Sequence, residues 1–498
     1  YFIMNQRPPA PDSAPLAADE QPFFSRPADI HINPYADERA DAYTPVYDAA
    51  MIAKYDRTGP RYTSYPTALE FKPIAADTEA RLLAQQDPNT PLSLYIHVPF
   101  CRHLCYYCAC NKIITKKNSD AGDYMAYVER EVRHKRSLLQ GEPIVEQVHF
   151  GGGTPTFLSD DELVDFWQFL QGQFRFSDKP TTDFSIEIDP RDLRDTTLAT
   201  LRALGFNRLS FGVQDLDLDV QLAVNRQQPL VMIEQVMQQA RALGFVSINI
   251  DLMYGLPRQT VASLQNTIAQ IIALSPDRLS VFNYAHLPER FASQRRINDD
   301  ELPSAADKLT MFANTVERLT AAGYQYIGID HFAKPDDALA IAQRAGKLRR
   351  NFQGYTTHGD CDLLGFGVSA ISQLGADYLQ NASDLKAYEQ TITEHRLPAV
   401  KHIHARLPDL LRRYVIMQLL CHHYVDFKDI NVRFSVDAVT YFIDEIQQLA
   451  PMQADKLIDM DAKGIRILPK GRLLARNVAM VFDQYLNHAN QQRFSRAI

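Results

Sequence analysis

The chain of 498 residues has one tryptophan, six cysteines, and no apolar run near the roughly 20 residues that a membrane-spanning helix needs. No membrane span is expected. The opening stretch "YFIMNQRPPAPDSAPLAADEQPFF" lacks a basic segment followed by an apolar one, so no secretory signal is read there and a cytoplasmic location is expected. In that compartment thiols stay reduced, and clustered cysteines more often bind metal than form disulfides. Positive charge is in short supply: 52 Lys and Arg against 60 Asp and Glu give a formal net charge of −8. That balance argues against a nucleic-acid binder driven by counterion release. It leaves room for a small anionic substrate, because a few arginines in a cleft outweigh distant charge.

What remains is ordinary globular composition, 46% hydrophobic and 22% charged, in a chain too long for a single core. Residues 1–45 are rich in Pro, Ala and Asp without apolar periodicity and read as a weakly structured extension. Residues 46–90 are expected to pack near the mouth of the domain that follows. From 91 to 374, β-rich runs alternate with helical patterns: "LSLYIHVPF", "VEQVHFGGG", "FSIEIDP", "RLSFGVQD", "SINIDLMYGLP", "RLSVFNYAHLP" and "YQYIGIDHFAKP". Repeated βα units imply an α/β fold with a parallel sheet, a partial or full β/α barrel. Polar or glycine-containing strand ends ("HFGGGT", "IEIDP", "GVQD") fall where such folds build their sites. Residues 375–498 read as mainly helical with a short hairpin, a winged-helix-like pattern, for which packing over the barrel mouth is favoured over DNA binding.

Four of the six cysteines lie in "CRHLCYYCACNK", residues 101–112. Cys101, Cys105 and Cys108 form C-x3-C-x2-C. A structural zinc site usually takes four ligands in two knuckles, and no second C-x2-C pair follows. Three thiolates on one loop suit a [4Fe–4S] cluster, leaving one iron open to chelate a small molecule. A zinc knuckle completed by a distant histidine, redox cysteines, and chance clustering stay open at this point.

C-x3-C-x2-C with an aromatic residue, Tyr107, before the third cysteine resembles the radical S-adenosylmethionine superfamily. "GGGTP" at 151–155 resembles that family's glycine-rich stretch. "KYDRTGPRYTSYPTALEF", "HFGGGTPT", "FNRLSFGVQD", "NIDLMYGLP", "LLGFGVSAIS", "KGRLLARN" and the terminal "FSRAI" narrow the resemblance to the oxygen-independent coproporphyrinogen III oxidase family, over roughly residues 48–498.

The resemblance implies a cluster on Cys101, Cys105 and Cys108, and two S-adenosylmethionine molecules. The first would touch Tyr95, Gly152, Glu187 and Ile371; the second Tyr107, Gly153, Thr154, Gln214, Arg226, Asp251 and Ala285. A 5′-deoxyadenosyl radical would take a hydrogen from a propionate β-carbon of coproporphyrinogen III. The resulting radical would lose CO2 and an electron, so an electron-donor protein or reductant is also implied. Tyr95, His97 and Cys110 are the candidates near the chemistry. Cys110 is not expected to be a ligand, and a plain small hydrophobe is its competing reading. Arg61 and Arg290 are candidate propionate clamps, since arginine binds carboxylates bidentately. Cys361 and Cys421 are expected to be structural, and the protein to be a monomer. Ala109 stands where the family has glycine, which matters if the loop needs a positive φ. A heme chaperone of the same superfamily is the alternative; Cys110, the "GPRYTSYP" segment and the long C-terminal domain speak against it.

Overall fold

A computed structural model describes residues 36, 37 and 39–486. Most of the expected extension and the terminal "FSRAI" lie outside these residues. Six strands follow in chain order: β1 (Leu92–Val98), β2 (Ile144–Gly152), β3 (Asp183–Ile188), β4 (Arg208–Gln214), β5 (Ser247–Tyr254) and β6 (Arg278–Asn283). Each pairs in parallel with the next. The connecting helices start on side-chain caps where the sequence supplies them. Ser159 and Glu162 form a capping box for α1 (Asp160–Gln173), and Thr260 caps α2 (Val261–Leu274).

The run expected as a single strand over 324–335 is a hairpin, β7 (Gln325–Gly328) and β8 (His331–Ala333), because Gly328 and Ile329 both turn through positive φ. β8 lies antiparallel to β6. On the far side β9 (Asp362–Phe366) joins β1 in parallel, and a meander of β10 (Ile371–Leu374), β11 (Asp377–Asn381) and β12 (Ala399–His404) continues the sheet. The sheet ends at Lys72–Pro73 on one edge and β7 on the other, so the barrel is partial. The expected division at 374/375 falls inside the meander, between strands paired at Leu374 and Asp377.

The strands alternate, with one slip near the start of β2, where the pairing with β1 shifts register between Val145 and Gln147. Leu94, Ile96 and Val98 of β1, Val148 and Phe150 of β2, Ile186 and Ile188 of β3, and Ile248, Ile250 and Leu252 of β5 are at most 3% exposed. They pack in one core with helix residues such as Phe166, Trp167, Ile268 and Ile271. The opposite face carries Tyr95, His97, His149, Glu187, Asn249, Asp251 and Ser280. Parallel strands covered on both sides usually read as continuous apolar runs. The polar alternation therefore marks the concave face as a site rather than a second core.

Beyond β12 the chain forms α3 (Leu407–His422), further helices, and a three-stranded sheet of β13 (Tyr424–Asp426), β14 (Ile458–Asp461) and β15 (Gly464–Ile467). The N-terminal segment is locked to this region: the Tyr62 hydroxyl donates to Asp483 (2.9 Å) and the Asn477 amide to the Tyr55 carbonyl (2.9 Å). Residues 40–45, expected to be weakly structured, are held there too. Tyr43 is buried and Arg472 donates to the Thr44 carbonyl (3.2 Å).

Candidate active site

The cysteine loop and the glycine stretch are stitched together by backbone. Gly153 N–H donates to the Val98 carbonyl and Thr154 N–H to that of Phe100, both at 2.8 Å, just before Cys101. Such closeness requires glycine. Gly152 has φ +114°, and a Cβ there would lie 2.6 Å from the His97 ring; one on Gly153 would lie 2.6 Å from the Pro99 carbonyl oxygen. The Thr154 hydroxyl then donates to Cys101 Sγ (3.4 Å).

Cys105 Sγ faces two cations, Arg226 Nη1 at 3.3 Å and Arg191 Nη2 at 3.4 Å. Both arginines also hold Asp189. Burial alone would push the Asp189 carboxyl up, but the Arg226 charge and the Arg191 hydrogen bond bring it down to about 2. Burial pushes the Cys101 thiol up to about 12. The Cys110 thiol donates to Cys108 and, with Lys112 close by, lowers Cys108 to about 6.

This donor set fits a thiolate-ligated cluster: three soft ligands on one loop, each already facing a hydrogen-bond donor of the kind that tunes such clusters. Among the described residues no three His, Cys, Asp or Glu side chains converge on one metal-ion position. A cubane asks for something different, since each thiolate meets a separate iron. Ala109 is not among the residues with positive φ, so its methyl carries no backbone strain.

On the concave face the Tyr95 hydroxyl meets His97 Nδ1 (3.0 Å), and His97 Nε2 meets the Asn111 carbonyl (3.1 Å). A carbonyl only accepts, so the proton sits on Nε2 and Tyr95 donates to Nδ1. Burial lowers the His97 pKa and keeps the ring neutral. Tyr95 stacks on His149 (5.9 Å, 19°), whose Nε2 reaches Glu187 Oε1 at 3.2 Å. Gly152 N–H donates to Glu187 Oε2 (3.2 Å). Burial raises the Glu187 pKa, and these two contacts more than reverse the rise. Its side chain is still 42% exposed, as a group lining an open concavity is: surrounded by protein, yet reachable.

Farther along, Asp251 accepts from Ser210 (3.1 Å) and Asn249 (2.8 Å); burial, with Glu187 nearby, pushes it up to about 6. Gln214 ends β4 at φ 71°, a left-handed conformation at a bulge. The Gln294 amide links the Tyr107 (3.0 Å) and Ala285 (3.2 Å) carbonyls. Ile371 opens β10, its carbonyl against Gly365, which pairs with Tyr95. The fold thus gathers Tyr95, His97, Gly152 and Glu187 in one group, and Cys105 with Arg226 in another. A third group holds Tyr107 and Ala285.

Of the arginines, Arg61 is paired with Asp330, and Arg290 is exposed with its guanidinium over Phe291 (5.6 Å). Cys421 is buried in a satellite core. Sequence reasoning missed His149, Asp189 and Arg191. The last two lie just beyond Glu187 in "IEIDPRD", a strand end of the kind that pointed to Glu187 itself.

Residues 95–271 match the Radical SAM superfamily, and residues 406–474 match the HemN C-terminal domain. The sulfur loop, the glycine stretch and the open parallel sheet therefore define a radical S-adenosylmethionine protein. The oxygen-independent coproporphyrinogen III oxidase of Pseudomonas aeruginosa is 51% identical over 454 residues, covering 91% of this chain and 99% of the relative. That of Escherichia coli K12 is 48% identical over 453 residues, 91% of this chain and 98% of the relative. The solved E. coli coproporphyrinogen III oxidase (HemN), described as a radical SAM enzyme, superposes with a TM-score of 0.85 at 46% identity, covering 89% of this chain and all of that one. The chain belongs to the oxygen-independent coproporphyrinogen III oxidase family.

Proposed function

We propose that this protein converts coproporphyrinogen III to protoporphyrinogen IX without oxygen, in heme biosynthesis, by oxidative decarboxylation of two propionates to vinyl groups. The observation that supports it most is end-to-end similarity to enzymes of that name, with C-x3-C-x2-C at the mouth of a polar-lined partial barrel. Cys101, Cys105 and Cys108 would hold a [4Fe–4S] cluster, and two S-adenosylmethionine molecules would bind beside it. When bound, cluster and S-adenosylmethionine supply a 5′-deoxyadenosyl radical that abstracts hydrogen from the substrate.

The chain's own residues bind and orient. Gly152 makes room for the His97 ring beside the first S-adenosylmethionine, and Glu187, held by His149 and Gly152 N–H, offers a carboxylate edge to hydroxyl or ammonium groups. Tyr95 and Ile371 flank the same place. Arg226 is fixed by Asp189 and the Gly212 carbonyl, so it offers a preset cation to the second molecule near Tyr107, Gly153, Thr154, Gln214, Asp251 and Ala285. His97, neutral and with its proton on Nε2, keeps the Tyr95 hydroxyl oriented. Cys110 lies next to Cys108 as a thiol donor. An unactivated C–H bond offers no acidity to exploit, so positioning and exclusion of water carry the burden. A cytoplasmic monomer served by an external one-electron donor, with no nucleic-acid partner, completes the reading.

The test is anaerobic turnover of reconstituted protein with S-adenosylmethionine, a one-electron reductant and coproporphyrinogen III. A divinyl product with 5′-deoxyadenosine alongside is expected. Intact substrate over an intact cluster, with stoichiometric heme binding, would favour the chaperone instead.

A further inference from the structure

A second group of cations meets the concave face beyond Asp251. His331 of β8 stands opposite Ser280 of β6, and its ring touches Phe282 (6.0 Å, 86°) and Tyr355 (5.3 Å, 79°) edge-on. Arg350, directly opposite Tyr355 in a two-stranded ribbon, lays its guanidinium 4.7 Å from the Tyr355 ring. Its Nε donates to the Arg61 carbonyl (3.2 Å). Arg61 itself lies over Phe282 (5.3 Å) and is paired with Asp330.

Two atoms in this group stand out. Arg350 is 9% exposed, yet its Nη1 is buried without a hydrogen-bond partner, and among the described residues it makes no ion pair. His331 Nδ1 is likewise buried and unpartnered. The nearby carboxylate, Asp330, is taken by Arg61. Burial and the Arg350 charge hold His331 neutral, so it adds an N–H or an acceptor without adding charge. A buried guanidinium lacking a counter-ion is costly, and two idle polar atoms at one place are what a bound carboxylate would satisfy.

We propose that Arg350 and His331 form a carboxylate subsite. Given the substrate proposed above, on which this assignment rests, it takes one propionate of coproporphyrinogen III and so fixes how the macrocycle lies over the concave face. Arg350 supplies the fork and the charge, His331 a single N–H, and Tyr355 the platform that holds the guanidinium plane.

The measurement is binding of coproporphyrin III, a stable tetracarboxylate, and of its tetramethyl ester, by fluorescence titration of the reconstituted protein. Arg350→Met is expected to weaken binding of the acid by about 30-fold or more and to leave the ester unchanged. Arg350→Lys keeps charge without the fork and is expected to raise KM about tenfold with kcat nearly intact. Acid binding equal in wild type and Arg350→Met would overturn the subsite, even with turnover of coproporphyrinogen III in the wild type. Equal affinity of the wild type for acid and ester would overturn it without any variant. A wild type that neither binds nor converts the tetracarboxylate would instead sink the substrate reading, and the subsite with it.

Discussion

The two faces of the same six parallel strands are built for opposite purposes. On the helix-covered face Ile96, Phe150, Ile186, Phe211, Ile250 and Val281 are at most 1% exposed and stack into the main core. One residue along each strand, the concave face holds His97, His149, Glu187, Ser210, Asp251 and Ser280, where hydrogen bonds join His149 to Glu187, Ser210 to Asp251, Ser280 to Asn249 and His97 to Tyr95. A one-residue slip of any strand would exchange the two sets, so the apolar face also fixes the register of the polar one. The outer face stabilises the fold; the inner face costs stability and is kept for what it binds.

That contrast breaks most sharply at the strand ends. Cys101→Ser, Cys105→Ser or Cys108→Ser should each abolish the visible absorbance of the reconstituted cluster and all turnover, while Cys110→Ser keeps the absorbance. A cluster lost in Cys110→Ser would overturn the ligand assignment. Next in size, Ile250→Ala on the outer face should cost about 2–5 kcal/mol in denaturant unfolding without changing turnover per folded molecule. Reduced turnover at full folding would show that the faces are less separate than their packing implies. Glu187→Gln should do the reverse, lowering kcat/KM about 10- to 100-fold with little change in unfolding midpoint, because one charge-assisted contact to a bound ligand is lost.

The faces differed in how well they could be read. The six parallel strands were legible to within a residue or two at their starts, because apolar alternation bounded by polar strand ends is a strong local signal. The sulfur and glycine motifs were legible for the same reason: each is a short stretch of one element. β9 went unseen, since "DLLGF" is five residues without polar alternation, too short a run for its period to separate strand from helix. The β10–β12 meander was absorbed into a helical domain, because "DYLQN" and "VKHIH" are short and polar on one side. The Asp189–Arg191–Arg226 group around Cys105 is a product of topology; its members lie up to 121 residues from that cysteine, a separation no local pattern reports. Arg350 was hidden likewise, placed beside His331 only by the ribbon that follows β8.

The smallest effect is the most discriminating, because it reverses the usual sign of a mutation. Asp251 is pushed from 3.8 up to about 6 by burial and by the neighbouring Glu187 charge. The folded protein therefore holds this proton more tightly than the unfolded chain does. The stabilisation it brings is complete below 3.8 and is lost as pH rises through about 6. Above that, folding must bury a repelled carboxylate. Asp251→Asn removes the charge while keeping an oxygen for Ser210, so it should match the wild type in melting temperature below 3.8 and exceed it above 6, the gap opening between those values. Thermal unfolding of both proteins across that window reads the gap directly. If it opens, and turnover falls in the same variant, the concave face is holding a carboxylate that the fold alone would reject. A gap that is flat with pH would mean that Asp251 is solvated well enough to belong to neither face.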